Sequence, residues 1–306
     1  MTVGRIIVLA NKRVDLQLRV FVRSLRNSGC GLPISVIPFG TKDFKPPNSC
    51  EWIEDSKLLS FLRQEGVHPL YSKYQVLLQR KVAYFDTDIV ILRNPEEWLR
   101  EAPSGAFAVA DTEWSKNRWT FSTESRRFLA SLSSLWPLFT FNSGFVAFEE
   151  PLYEEAELIA VIQSPQMRST CLKRKTSPVD QPAFNWLVLR KQRQIFNFNL
   201  PQQSMESTMV EDYCDPCDID AIISGPSAPA FLHYAGPSFE NGHCLTRLFT
   251  SYLTAEERRE WDVVIERKRE SLRWLRTWPL RVRALNYLVR LVDSRFYVQP
   301  KFSHWA

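Results

Sequence analysis

The chain has 306 residues, 44 % of them hydrophobic and 13 % aromatic, which is enough for a dense α/β core and too apolar for a disordered protein. Its formal charge of +5 lies in residues 256–306, because residues 1–255 balance acids against bases; a neutral body without a recognisable module argues against nucleic-acid binding. No apolar run approaches the roughly 18–20 residues of a bilayer span, and the opening "RIIVLA" is too short for a signal segment. The expected location is therefore the cytoplasm, or the cytosolic face of a membrane reached peripherally.

In chain order, residues 5–9 form a short buried strand, and residues 16–27 have helical spacing that stops at Ser28-Gly29. "ISVIPF" is a second strand. Residues 56–65 and 73–78 read as helices, and 82–86 as a third strand. "NPEEWL" opens a helix with Asn94 as N-cap, Pro95 at the first position and acids in the first turn. Residues 105–111 and 143–148 are further strands, with helices over 152–162 and 182–191 before "FLHY". Such alternation predicts an α/β fold: a mixed, mainly parallel Rossmann-like sheet with helices on both faces. Sheets of this kind bind ligands at the carboxyl ends of their strands.

At one such end, "KVAYFDTDIVIL" places Asp86 and Asp88 inside an apolar run. A buried unpaired carboxylate costs several kcal/mol, so two of them call for a positive partner. In an extended chain both would project from one face, about 6–7 Å apart. That suits a hard divalent cation which also takes phosphate oxygens. D-x-D alone is a weak signal, common at ordinary turns. Three other stretches bear on it. "TFNSGFVAF" sets Asn142, Ser143 and Gly144 at the start of a strand, where small residues let a ligand approach. "SPVDQPAFN" sets Asp180 and Gln181 at the start of a helix, where Asp180 by itself reads as an N-cap. "FLHYAG" ends an apolar run on His233, which by itself reads as a hydrogen-bonded core residue.

In order, Ser72-Lys73, "YFDTD", "FNSG", "DQPAFN" and "HYAG" resemble the nucleotide-sugar glycosyltransferases of the GT-A fold, most closely the retaining family 8 type, over approximately residues 3–240. The resemblance implies a GT-A domain over residues 1–250. It also implies that Mn²⁺ or Mg²⁺ is held by Asp86, Asp88 and His233. Donor contacts would come from Ala10, Asn11, Lys12, Lys73, Phe85, Asp86, Asn142, Ser143 and Gly236. Asp180 and Gln181 would act at the reacting carbon. The implied partners are a nucleotide-sugar donor, a UDP-sugar first among them, and a glycan, lipid or small-molecule acceptor, with retention of configuration. One position departs: Phe239 stands where relatives carry a lysine that grips the diphosphate, which leaves Lys12 or Lys73 for that task. A sugar-nucleotide pyrophosphorylase would share the sheet, but it needs a glycine-rich loop after the first strand, and "VLANKRVD" has none. A catalytically inactive GT-A-fold binding or scaffold protein is the alternative outside enzymes.

Residues 251–306 read as a basic, amphipathic helical extension. Trp261, Val264, Ile265, Leu272 and Leu275 line one helix face, Ala284, Leu285, Leu288, Leu291 and Val292 another, and Pro279 separates the two. Such helices either dock on the core with a solvated basic face or lie on an anionic membrane surface. Of the six cysteines, Cys214 and Cys217 form a C-x-x-C with His243-Cys244 further on. Free thiols are the default in a reducing compartment, and a structural zinc is the alternative.

Overall fold

Alternating apolar residues in short strands give this chain a sheet with two buried faces. The computed structural model describes residues 1–40, 42–111, 121, 123–168, 180–200, 205–225, 227–235, 239 and 242–276. The strands are β1 (Arg5–Ala10), β2 (Ile34–Pro38), β3 (Cys50–Trp52), β4 (Val82–Phe85), β5 (Ile89–Ile91), β6 (Phe107–Val109), β7 (Phe145–Phe148), β8 (Ile195–Asn197) and β9 (Phe231–His233). Seven of them form one sheet in the order β3-β2-β1-β4-β7-β6-β8. β7 pairs antiparallel with both β4 and β6, and every other pair in this sheet is parallel. The sheet is thus mixed and mostly parallel, with β7 the reversed strand.

The helices are α1 (Asp15–Asn27), α2 (Lys57–Gln64), α3 (Pro95–Trp98), α4 (Thr123–Ala130), α5 (Glu155–Gln163), α6 (Pro165–Met167), α7 (Asp180–Arg190), α8 (Ile219–Ser224), α9 (Thr246–Ser251) and α10 (Ala255–Arg276). Ile7, Leu9, Tyr84 and Val146 point to one face of the sheet, where α2, α5 and α7 pack through Leu59, Leu158 and Leu187. Their neighbours Ile6, Val8, Phe85 and Phe145 point to the other, against Phe21 and Leu25 of α1 and Trp98 of α3. The period of two in each strand is what allows helices on both sides.

Several expected elements shift. Residues 73–78 belong to a longer 3-10 helix, Pro69–Leu78, capped by the His68 side chain with proline in its first turn. Tyr71 through Leu77 are all buried in it, so burial on every side replaces the amphipathic pattern of a surface α-helix. The helix expected from residue 152 starts at Glu155. "FLHY" does not join the main sheet: β9 pairs antiparallel with β5 in a separate two-stranded sheet. Three-residue strands such as β3, β5 and β8 are too short to show a period.

A third core lies beyond α1. Val20 leaves the opposite side of that helix and meets Val90, Leu232, Tyr234, Phe249, Trp261 and Ile265. α10 is therefore docked, with Trp261 and Ile265 buried inside the protein. Its start carries a reciprocal cap, in which Glu257 N–H donates to Thr254 Oγ1 and Thr254 N–H donates to Glu257 Oε2. Pro279 and the second expected helix lie outside the described residues. Among the described residues no helix is long and apolar enough to cross a membrane. Cys217 and Cys244 form a disulfide rather than staying free, while Cys30 and Cys50 are free thiols, buried and half-buried. The pairing arises because the third core brings loop 213–217 against the start of α9, packing both cysteines at its edge.

Candidate active site

The site begins where β4 runs out of sheet. Val82 to Phe85 are fully buried, and the Asp86 N–H still donates to the Gly144 carbonyl at 2.7 Å, extending the ladder with β7 by one bond. Then the chain turns through Thr87 and Asp88 into β5. The two aspartates consequently do not stand along an extended strand; the turn folds their carboxylates towards each other.

β5 sets the third group. Its register places Ile89 opposite His233 of β9, and the Tyr234 N–H donates to the Asp88 carbonyl at 2.9 Å. A histidine 145 positions later thus lands beside the turn. One ligand atom each from Asp86, Asp88 and His233 lie within 4.8 Å of one another. His233 Nε2 stands 3.3 Å from Asp88 Oδ1 but is misaligned for a hydrogen bond, and that buried oxygen has no hydrogen-bond partner. A buried acceptor facing an imidazole nitrogen across a gap is a place for a cation. The residues fit a divalent ion with two carboxylates and one imidazole, leaving positions for phosphate oxygens.

Gly144 makes room for this histidine. A Cβ on Gly144 would stand 2.3 Å from His233 Cε1, closer than any side chain tolerates. The glycine is held by its own N–H, which donates to Asn142 Oδ1 at 2.8 Å. The Asn142 N–H in turn donates to Asp111 Oδ2 at 2.6 Å. Asp111 is buried at the end of β6, where it exchanges two hydrogen bonds with Asn197.

Lys73 occupies the other side of Asp86. Only 2 % of its side chain is exposed, and its ammonium lies 3.2 Å from Asp86 Oδ1, 3.1 Å from Ser143 Oγ and 3.9 Å from Asp180 Oδ2. It also stands over the Tyr84 ring, 4.7 Å from the centroid. The Tyr84 hydroxyl donates to the same Asp86 oxygen. Burial would raise the Asp86 carboxyl, but the Lys73 charge, His233 and the Tyr84 hydroxyl outweigh it and hold the group below the usual range. For Asp180 burial wins: Lys73 opposes it, the Asp86 charge assists it, and the carboxyl rises. His233 goes up despite burial, because the charge and close approach of the Asp88 carboxylate, and after them the charge of Asp86, overcome desolvation. Two carboxylates share one lysine and are driven in opposite directions.

The expected residues sort as follows. Asp86, Asp88, His233, Lys73, Ser143 and Asp180 come together. Asp180 is the first residue of α7, with Gln181 next to it in the same turn. Ala10 and Asn11 end β1, where Asn11 Oδ1 accepts from the Arg13 N–H at 3.0 Å and Asn11 Nδ2 donates to the Phe39 carbonyl; Lys12 is exposed there. Phe85 has its ring buried between Phe145 and Phe231, with centroids at 4.9 and 5.6 Å, so its backbone is what borders the site. The Lys73 ammonium pairs with the carboxylates of Asp86 and Asp180. Phe239 packs on Tyr234 and Trp261, with centroids at 4.8 and 4.9 Å, and its position belongs to the third core. Gly236 lies outside the described residues. Tyr84 and Asp111 are additions; Tyr84 was signalled by standing two residues before Asp86, on the same strand face.

No protein-family profile and no curated protein matches this sequence. Solved structures do. The apo structure of WbbM, a bifunctional glycosyltransferase, superposes with a TM-score of 0.56 at 13 % identity; the match covers 88 % of this chain and 52 % of WbbM, so this chain spans about half of that protein. The galactosyltransferase LgtC, solved with donor and acceptor sugar analogs, superposes with a TM-score of 0.53 at 13 % identity, covering 83 % of this chain and 99 % of LgtC. An active-site mutant of LgtC gives the same TM-score and coverage at 11 % identity. The fold of this chain is therefore the GT-A fold of these glycosyltransferases, with Asp86, Asp88 and His233 at the carboxyl edge of its sheet.

Proposed function

We propose that the protein transfers a sugar from a nucleoside-diphosphate sugar, a UDP-sugar first among them, to a glycan, lipid or small-molecule acceptor, with retention of configuration. The observation that carries this reading is the convergence of Asp86, Asp88 and His233 at the end of β4, with one buried Asp88 oxygen left without a hydrogen bond. Those three residues would hold Mn²⁺ or Mg²⁺, which when bound supplies Lewis-acid neutralisation of charge on a departing diphosphate.

The remaining work falls to the chain. Lys73 fixes Asp86 and Asp180 relative to each other, so the metal-facing and sugar-facing carboxylates keep one spacing. Asp180 and Gln181, at the start of α7, face the positive charge that develops on the sugar carbon as the glycosidic bond lengthens. Asn142 and Ser143 line the same edge beneath the donor. Lys12, exposed where β1 ends, is the residue we assign to the diphosphate among the described ones, because Phe239 packs in the core and Lys73 is engaged with Asp86 and Asp180. Ala10 and Asn11 border the nucleoside beside it.

The test is release of nucleoside diphosphate from a panel of nucleotide sugars with Mn²⁺. Slow hydrolysis that appears with Mn²⁺ and vanishes in EDTA supports the proposal. Release that continues unchanged in EDTA after dialysis removes the metal from it, and no release from any donor favours a binding protein that keeps the fold.

A further inference from the structure

A second cluster of metal-ligating side chains lies away from this site, at the edge of the third core. Loop 213–217 and the residues entering α9 are stitched together by the Cys217–Cys244 disulfide, by Cys244 N–H donating to Asp215 Oδ1 at 3.3 Å, and by His243. The ring of His243 has one assignable tautomer. Nε2 lies 3.0 Å from the Tyr213 carbonyl, which can only accept, so Nε2 carries the proton. Nδ1 therefore offers a lone pair. It accepts the Leu245 N–H at 3.2 Å and lies 3.6 Å from Cys244 Sγ. An imidazole whose far nitrogen donates to a backbone carbonyl is the arrangement that orients a metal-ligating histidine.

One ligand atom each from Cys217, His243 and Cys244 lie within 4.8 Å of one another, and all three residues are half-buried. The fourth position is not preformed: Cys214, the other half of the C-x-x-C, is an exposed free thiol whose carbonyl, rather than its sulfur, lies 3.8 Å from Cys244 Sγ, so its side chain has to turn inward to join the other three. Three sulfurs and one nitrogen on a C-x-x-C knuckle and an adjacent loop match the donor set of a structural zinc site.

We propose that the reduced protein binds one zinc ion through Cys214, Cys217, His243 Nδ1 and Cys244, and that the disulfide is the oxidised alternative at the same place. The interconversion balances. Two molecules of a small thiol reduce the Cys217–Cys244 bond, becoming one disulfide and leaving two protein thiols. Zinc then binds the thiolates of Cys214, Cys217 and Cys244 with release of three protons, and takes neutral His243 without any proton change. The ion replaces the weak Leu245 hydrogen bond on Nδ1. Either form cross-links the loop beneath Tyr234, whose hydroxyl donates to the Leu245 carbonyl at 2.6 Å.

Cobalt(II) is the probe, because it reports thiolate ligands optically and so separates this cluster from the oxygen-rich group at Asp86 and Asp88. The full-length protein is reduced with dithiothreitol, freed of reductant without air, checked for its six thiols, and titrated with Co²⁺. The expected result is a thiolate-to-cobalt charge-transfer band and strong visible bands of tetrahedral cobalt, saturating at one equivalent and quenched by one equivalent of Zn²⁺. Cys217→Ser should lose the bands, and Asp88→Asn should keep them. A fully reduced wild-type protein that shows no charge-transfer band overturns the proposal. So does a disulfide that resists dithiothreitol in the folded protein, because the site then has no reduced form to fill.

Discussion

Two carboxylates in this protein, one buried and one half-buried, have opposite surroundings. Glu257, at the start of α10, receives N–H bonds from Arg23 at 2.8 Å, Arg19 at 3.3 Å and the Thr254 backbone at 2.9 Å. Asp88, at the end of β4, keeps a buried oxygen with no hydrogen bond and an imidazole standing misaligned 3.3 Å away. The first is satisfied and holds two helices together. The second is left open, at a cost that a bound cation would offset. A carboxylate that the fold satisfies is a fastener, and one that it leaves open marks the site. Each substitution below breaks one side of this contrast.

Asp88→Asn should have the largest effect on turnover and the least on the fold. An amide is a poor ligand for a hard cation, so nucleoside diphosphate release should fall on the order of a hundredfold or more. The melting temperature in EDTA should barely change, because no hydrogen bond of that buried oxygen is lost. A variant that melts much earlier while retaining its specific activity would place Asp88 with Glu257, as a fastener.

Lys73→Met should do the opposite. It leaves the half-buried Asp86 and Asp180 without their shared cation; unpairing a fully buried charge costs roughly 3–5 kcal/mol, and the remaining exposure of these carboxylates brings the expected loss to about 2–3 kcal/mol. Urea unfolding in EDTA measures this. Adding Asp180→Asn should recover part of the loss, because one of the two stranded charges is then removed. No recovery in the double variant would mean that Lys73 stabilises by packing on Tyr84 and Phe184 rather than by charge.

Gly144→Ala tests the geometry between them. The new Cβ would meet His233 Cε1 at 2.3 Å, so the ring must leave its place opposite Asp88. Overpacking of this kind costs about 1–3 kcal/mol. Mn²⁺ affinity should fall roughly 10–100-fold, as for other changes that misorient a ligand. Unaltered Mn²⁺ binding would show that His233 is not a ligand.

How far these features could be read in the sequence depends on how local they are. β1, β2, β4 and β7 are apolar runs of four to six residues flanked by polar turns, and they are visible as strands. β3, β5 and β8 have three residues each and no period to read. The Asp86–Asp88 pair was visible as charge in an apolar run, but its spacing was not, because the turn after β4 is fixed by β5 pairing with a strand over a hundred residues away. His233 was reachable through the order of motifs and not through chemistry, since a histidine ending an apolar run has many uses. Asp111 needs three segments in place before its contact with Asn142 exists. Thr254 and Glu257 carry the T-x-x-E spacing of a reciprocal cap, yet Glu257 looks like a surface acid until Arg23 is brought across from α1.

That last contact gives the smallest and most specific prediction. The Arg23 hydrogen bond depresses the Glu257 carboxyl to about 2, from a usual 4.5, against the opposing effect of burial. A carboxyl lower in the folded than in the unfolded chain stabilises fully above its unfolded value and loses that contribution as pH falls towards its folded value. Arg19 and Arg23 remain more than a third exposed, so solvent screening reduces the worth of the cluster to about 1–2 kcal/mol. Glu257→Gln should therefore lower stability by that amount at pH 7 and leave nucleoside diphosphate release intact. The gap between wild type and variant should stay constant above about pH 4.5 and shrink from there towards pH 2, across the window set by the two values. Denaturant melts of both proteins across this range make the comparison, with the other titrating groups common to both. A gap that does not change with pH would mean that Glu257 fastens α10 to α1 through its shape and cap rather than through its charge.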